Sequence, residues 1–203
     1  MADSRRRHAT DRSTDVALIT TLKRVVSVLK QTGVPYALAG GFAAYARGGT
    51  SSDHDVDFLI RRQDAGTALD ALGEAGFRTE RPPEDWLVKV YDGDRLVDLI
   101  FRPVERPVTD ETLAAADELP IDSIVVPVMP ATTLMIHKVL MFSQHYCDFA
   151  KALPVARSLR EQIDWDEVRR ETGQSPYAQA FLFLLEKLEV LQPRRDGVLR
   201  GVG

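Results

Sequence analysis

The stretch Val34–Ile60, VPYALAGGFAAYARGGTSSDHDVDFLI, constrains this chain more than any other. Val34–Ala39 is a short apolar run with strand character, ended by Gly40–Gly41. Phe42–Ala46 has helix composition, a Gly/Thr/Ser loop follows, and a second strand carries Asp55 and Asp57. Side chains two apart on a strand point to the same face. Two carboxylates placed so repel each other unless a positive charge lies between them. Their oxygens suit a hard cation such as Mg²⁺ or Mn²⁺, which is commonly held by one or two carboxylates plus substrate phosphates. A glycine turn opening a helix lets backbone N–H groups approach a phosphate, since no Cβ stands in the way. Thr50, Ser51 and Ser52 add hydroxyl donors on the loop that leads back. The pattern reads as a site for a triphosphate and its metal, with Gly40, Gly41 and Ser52 toward the phosphates.

A third carboxylate lies downstream. Trp86–Tyr91 and Arg95–Phe101 flank Asp92-Gly93-Asp94, a hairpin signal. Asp98 sits in the second of these strands with aliphatic neighbours on both sides. A lone buried carboxylate there is costly. Either a metal shared with Asp55 and Asp57 compensates it, or an arginine such as Arg47 or Arg95 does. Further on, Lys138 interrupts an apolar helix, LMIHKVLMF, and Asp148 follows ten residues later at the head of the next helix. Lys138 either faces the cleft to bind the triphosphate or snorkels to the surface. His137, next to it, is read as structural. His54 alternates with the aspartates and faces away from them. With only His8, His54, His137 and His145 in the chain, a histidine-rich phosphohydrolase site is excluded.

The double glycine, short helix, Gly/Ser loop and D-x-D followed by apolar residues resemble the signature of the DNA polymerase β-like nucleotidyltransferase superfamily. The resemblance implies two metal ions on Asp55 and Asp57, with Asp98 as the third ligand, next to the acceptor hydroxyl. It also implies in-line attack on the α-phosphate of an NTP with pyrophosphate leaving. AbiEii-like and MenT-type toxins of toxin–antitoxin systems carry a lysine and then an aspartate after the sheet, a spacing that Lys138 and Asp148 resemble. That likeness implies transfer to an RNA acceptor, above all the 3′ end of tRNA, and a cognate antitoxin as partner. Lincosamide and aminoglycoside nucleotidyltransferases are similar in size, acidic balance and helical C-terminal region, and imply a small-molecule acceptor instead. A silent binding partner or antitoxin is the third reading, and three intact carboxylates argue against it.

The rest of the chain sets the frame. Its 203 residues, 44% hydrophobic, suit one globular domain or a core with a small subdomain. The net charge of −4 excludes a bulk electrostatic nucleic-acid binder. Phosphate contacts to RNA would fall to Arg61, Arg62, Arg102, Arg106, Arg169, Arg170, Arg194 and Arg195, and to Arg5-Arg6-Arg7 near the start. No apolar run reaches the roughly 18 residues of a transmembrane span, and a single cysteine, Cys147, fits a reducing cytoplasm. Helices are expected from about Thr14 to Lys30, Gln63 to Ala75 and Thr109 to Leu119, with Ile121–Met129 as a strand. From Pro130 onward the chain reads as helical. The expected fold is α+β: a small mixed-sheet nucleotidyltransferase core over 14–129, flanked by helices, and a helical subdomain over 130–192. Residues 1–13 and 193–203 are read as tails.

Overall fold

The computed structural model describes residues 2–49 and 55–192, with backbone alone over 2–15. Helix α1 spans Ala2–Thr32. It starts well before the expected Thr14, because nothing ahead of Gly33 breaks a helix: the segment holds no proline and no glycine. Its buried stripe is Leu18, Leu22, Val25, Val26 and Leu29. Val16, at helical spacing with that stripe, is 65% exposed. Gly33 ends the helix at φ +69°, and the Val34 N–H bonds back to the Leu29 carbonyl at 3.1 Å.

Strand β1 (Tyr36–Ala39), helix α2 (Gly40–Ala46) and strand β2 (Asp55–Ile60) follow as expected. Helix α3 covers Ala65–Glu74 and buries Leu69 and Leu72. Strands β3 (Arg78–Glu80), β4 (Leu87–Asp92) and β5 (Arg95–Ile100) come next, β4 and β5 joined by the two-residue Gly93-Asp94 turn.

The expected helix from Thr109 to Leu119 is a correction. Helix α4 covers only Asp110–Ala114, and Asp117–Ile121 is strand β6. Pro120 cannot continue a helix, and Asp122, at φ +51°, turns the chain into β7 (Ile124–Val128). Pro127 therefore lies on an inner strand, and β6 is the edge. The missing N–H of Pro127 is tolerated because β7 pairs with β1 in parallel at one register position only, Leu38 with Val128.

The seven strands form one mixed sheet in the order β3-β4-β5-β2-β1-β7-β6. Strand β2 runs antiparallel to β1 and parallel to β5. Alternation sorts the two faces. Val56, Phe58 and Ile60 of β2 and Val97 and Leu99 of β5 are fully buried against a core that includes α1 and α3. Asp55, Asp57 and Asp98 lie on the opposite face.

Four helices make the C-terminal region: α5 (Ala131–Leu140), α6 (Phe149–Ser158), α7 (Trp165–Thr172) and α8 (Pro176–Lys187). Their own apolar cluster is centred on Met135, Val139, Ala156, Phe181 and Leu185, with Phe142, Phe149 and Phe181 in mutual ring contact. Ala44 of α2 packs into this cluster, so the helix after the double glycine touches both regions.

The hairpin carrying Asp98 is stitched to α1 by polar contacts. Fully buried Thr21 donates to Asp92 at 2.6 Å and accepts from the Arg95 Nε at 2.7 Å, while Arg24 also pairs with Asp92. Thr21→Val keeps the shape and removes the hydroxyl. It should cost about 1–3 kcal/mol, the usual range for stranding a buried polar group. Urea unfolding measures this, and a cost near zero would contradict the stitch.

Candidate active site

The sheet register builds the site. Asp57 pairs with Ala39 on β1 and with Asp98 on β5, and Asp98 pairs with Lys89 on β4. Paired residues share a face, so Asp57, Asp98 and Lys89 stand in a row, with Asp55 one pleat before Asp57. Oxygens of Asp55, Asp57 and Asp98 come within 4.8 Å of one another. Sequence reasoning places these three together, and the structure does bring them together.

Gly40 makes the row possible. It has φ +58°, and a Cβ built on it would fall on the Asp57 carboxylate. The left-handed conformation and the close approach therefore both sit at Gly40, not at Gly41. From sequence alone the space at this turn reads as room for a phosphate. At Gly40 it is first of all room for Asp57. Ser52 and His54 lie outside the described residues.

The electrostatics are those of crowded carboxylates. Burial, then the charges of Asp55 and Asp98, push the Asp57 carboxyl up to about 7, against the opposing pull of Lys138 and Lys89. Burial also raises Asp98, with Lys89 acting against it. Neither Arg47 nor Arg95 pairs with Asp98. Arg47 holds the Met129 and Val128 carbonyls and Asp117, and Arg95 holds Thr21 and Asp92. The neighbour of Asp98 is Lys89, whose Nζ lies 3.6 Å from Oδ1. That is too long for a hydrogen bond, and among the described residues this buried oxygen has no hydrogen-bond partner.

These features fit a divalent cation. The donor set is all carboxylate oxygen, the oxygens converge, and one buried oxygen is left without a hydrogen bond.

Lys138, on α5, lies within electrostatic reach of Asp57 and Asp55. Burial lowers its pKa, and the charges of Asp57 and Asp55 counter that, with Asp148 also within electrostatic reach. Asp148 caps α6, accepting the Lys151 N–H at 3.3 Å. His137 turns elsewhere. Burial first, and Arg106 second, pull it down to about 4, so it stays neutral as a structural residue would. Lys89 was missed from sequence. The signal was present, since a two-residue turn at Gly93-Asp94 counts back to pair Lys89 with Asp98.

The arginines assigned to RNA are engaged. Arg61 pairs with Asp64 and Asp110, Arg62 with Asp85, Arg102 with Glu105, and Arg106 with Glu171. Arg169 pairs with Asp166 and Glu186, and Arg170 with Glu171. Arg194, Arg195 and the side chains of Arg5, Arg6 and Arg7 lie outside the described residues.

Residues 2–195 match the model of a family described as "Uncharacterised nucleotidyltransferase". The chain belongs to this nucleotidyltransferase family. Its fold is that of the polymerase β-like enzymes. ANT(2″)-Ia in complex with adenylyl-2″-tobramycin superimposes with TM-score 0.57 at 16% identity, over 82% of this chain and 97% of that one. The Megavirus polyadenylate synthase gives TM-score 0.51 at 14% identity, over 79% of this chain and 36% of that one. At these identities the likeness is one of fold. None of the curated proteins matches the sequence. As a nucleotidyltransferase the chain is an enzyme, and none of its described helices is long and apolar enough to cross a membrane.

The raised Asp57 gives a pH signature. Its folded pKa, about 7, lies above the ordinary 3.8, so the folded state holds that proton more tightly. The stability it contributes is fully present below the unfolded pKa and is lost as pH rises through about 7. The thermal midpoint of metal-free protein should fall across this interval. Asp57→Asn should flatten the fall, and Mg²⁺ should stabilise wild type more at high pH than at low. A wild-type midpoint that rises across the same interval, with Asp57→Asn unchanged from it, would contradict the crowding.

Proposed function

We propose that this nucleotidyltransferase moves an NMP from an NTP to an acceptor hydroxyl, with Asp55, Asp57 and Asp98 holding two Mg²⁺ or Mn²⁺ ions. The supporting observation is the in-register row of carboxylates, with a buried Asp98 oxygen left without a hydrogen bond and Lys138 facing it. Bound metal would supply charge stabilisation at the transferring phosphoryl group and its attacking and leaving oxygens. The acceptor oxygen forms a bond to the α-phosphorus, the bond to the β-phosphate oxygen breaks, and pyrophosphate leaves. Asp98, on the acceptor side, takes the hydroxyl proton on a carboxylate oxygen. The backbone of Gly40 and Gly41, with Ser52, holds the β- and γ-phosphates. Lys138 counters their charge from α5. Catalysis of this kind is mostly positioning and electrostatics, which a rigid sheet face provides.

For the acceptor, the reading is an RNA 3′ end, above all that of tRNA, with the chain as the toxin of a toxin–antitoxin pair in the cytoplasm. It is supported by Lys138 facing the carboxylates with Asp148 in its electrostatic reach, the pair that the resembling toxins carry. A second reading has its own observation. The described arginines assigned to RNA are each paired with a carboxylate, which favours a small hydroxyl-bearing acceptor such as an aminoglycoside or lincosamide.

The deciding experiment incubates the protein with each labelled NTP, Mg²⁺ and either total RNA or the two antibiotic classes. Label in a tRNA-sized band supports the first acceptor, and a labelled antibiotic supports the second. No transfer to any acceptor, from a folded protein with any NTP, would contradict nucleotidyl transfer itself. Lys138→Ala should lower NTP use about ten- to a hundredfold, the loss of one charge-assisted contact of roughly 1.5–3 kcal/mol. Lys138→Arg need not restore it, since the guanidinium is wide and planar. Asp148→Ala should lower transfer while sparing metal binding. Steady-state kinetics in NTP, with metal binding measured separately, check both.

A further inference from the structure

We propose that Lys89 is an internal counter-ion, which holds Asp98 in the metal-free protein and gives way when a divalent cation takes up that carboxylate. The inference rests on reading Asp55, Asp57 and Asp98 as a metal site.

The row of paired residues does not stop at Asp98. It continues to Lys89 on β4 and then to Glu80 on β3, all on one face of the sheet. Asp98 is only 8% exposed, and removing a carboxylate from water demands a compensating charge. Lys89 is the cation its strand pairing supplies, at 3.6 Å from Oδ1. Yet the separation exceeds a hydrogen bond, and among the described residues Oδ1 has no hydrogen-bond partner. At this separation the contact is chiefly electrostatic, so one cation can replace another without breaking a short directed bond.

The ammonium also has somewhere to go. The Lys89 side chain is 26% exposed, so it is not sealed in the core. The next carboxylate in the row, Glu80, is directly across the strand pair and is 46% exposed, shared at present with Arg78 at 3.2 Å. A lysine suits this exchange. Its charge is compact and sits on a flexible stem, whereas an arginine fork would lock onto the carboxylate in bidentate fashion. The consequence is an order of events. The Asp98 side of the site is stabilised and screened while empty of metal, and cation binding there competes against a resident positive charge.

The test is Mn²⁺ binding measured by calorimetry and by electron paramagnetic resonance, without nucleotide, on folded wild type, Lys89→Met, Lys89→Arg and Asp57→Ala. Removing one like charge beside the cation should tighten Mn²⁺ binding in Lys89→Met about tenfold. The same change should lower the thermal midpoint of the metal-free protein. Lys89→Arg, which keeps the charge, should bind Mn²⁺ no more tightly than wild type. In an Asp98→Asn background, Lys89→Met should have little effect on Mn²⁺. Lys89→Gln replaces Lys89→Met if the latter fails to fold by circular dichroism. A merely structural lysine would lower the midpoint and leave the affinity unchanged or weaker, and that result overturns the proposal. If Asp57→Ala loses Mn²⁺ while Lys89→Met gains none, the proposal alone falls. If wild type and Asp57→Ala bind Mn²⁺ equally, or neither binds it, the metal site falls and the proposal with it.

Discussion

Three carboxylates set side by side on one sheet face repel one another, and the surrounding structure is arranged to tolerate that. Burial, and then the repulsion of Asp55 and Asp98, push the Asp57 carboxyl up to about 7, and moving Asp55 or Asp98 by one residue would relieve part of that repulsion. Strand pairing forbids the move, because a one-residue slip turns every side chain on the strand to the other face. Val56, Phe58 and Ile60 hold β2 in place from beneath, and Val97 and Leu99 do the same for β5. The hydrophobic face thus fixes the register that the charged face could not choose for itself.

The cations around this cluster come from different elements. Lys89 arrives along the sheet, by strand pairing. Lys138 comes from α5, a helix anchored mostly in the C-terminal apolar cluster, and interacts electrostatically with Asp57 and Asp55. The sheet and the C-terminal helices meet through α2, which starts at the glycine beside Asp57 and packs Ala44 against those helices. In that geometry the carboxylates belong to the sheet, and an opposing charge comes from the C-terminal helices. A substrate bound between them would feel both.

Much of this was legible in the sequence because it is local. The D-x-D spacing, the double glycine and the Asp-Gly hairpin turn each specify a strand face or a turn within a few residues. The third aspartate and Lys138 were legible because a charge amid aliphatic neighbours needs an explanation. Long-range pairing was harder to read. Thr109–Leu119 has helical composition, but Pro120 and the turn at Asp122 give its second half to a hairpin that pairs with β1. Val16 sits at helical spacing with the buried residues of α1, yet nothing in the sequence says where the helix leaves the core. The reason for Gly40 was also hidden. Only the fold reveals that its missing Cβ makes way for the Asp57 carboxylate. Of the arginines read as RNA contacts, Arg102 and Arg170 pair with nearby Glu105 and Glu171, but Arg61 and Arg106 also found partners in distant segments, Asp110 and Glu171, that no local pattern announces.

The chemistry of this site turns on whether Asp55, Asp57 and Asp98 together hold divalent metal. A crystal structure with Mn²⁺ and a non-hydrolysable NTP analogue, with manganese located by its anomalous scattering, tests it most directly. Manganese is expected between these three carboxylates, with the triphosphate running toward Gly40 and Lys138. Manganese or triphosphate bound elsewhere, with the three carboxylates left without metal, would contradict it.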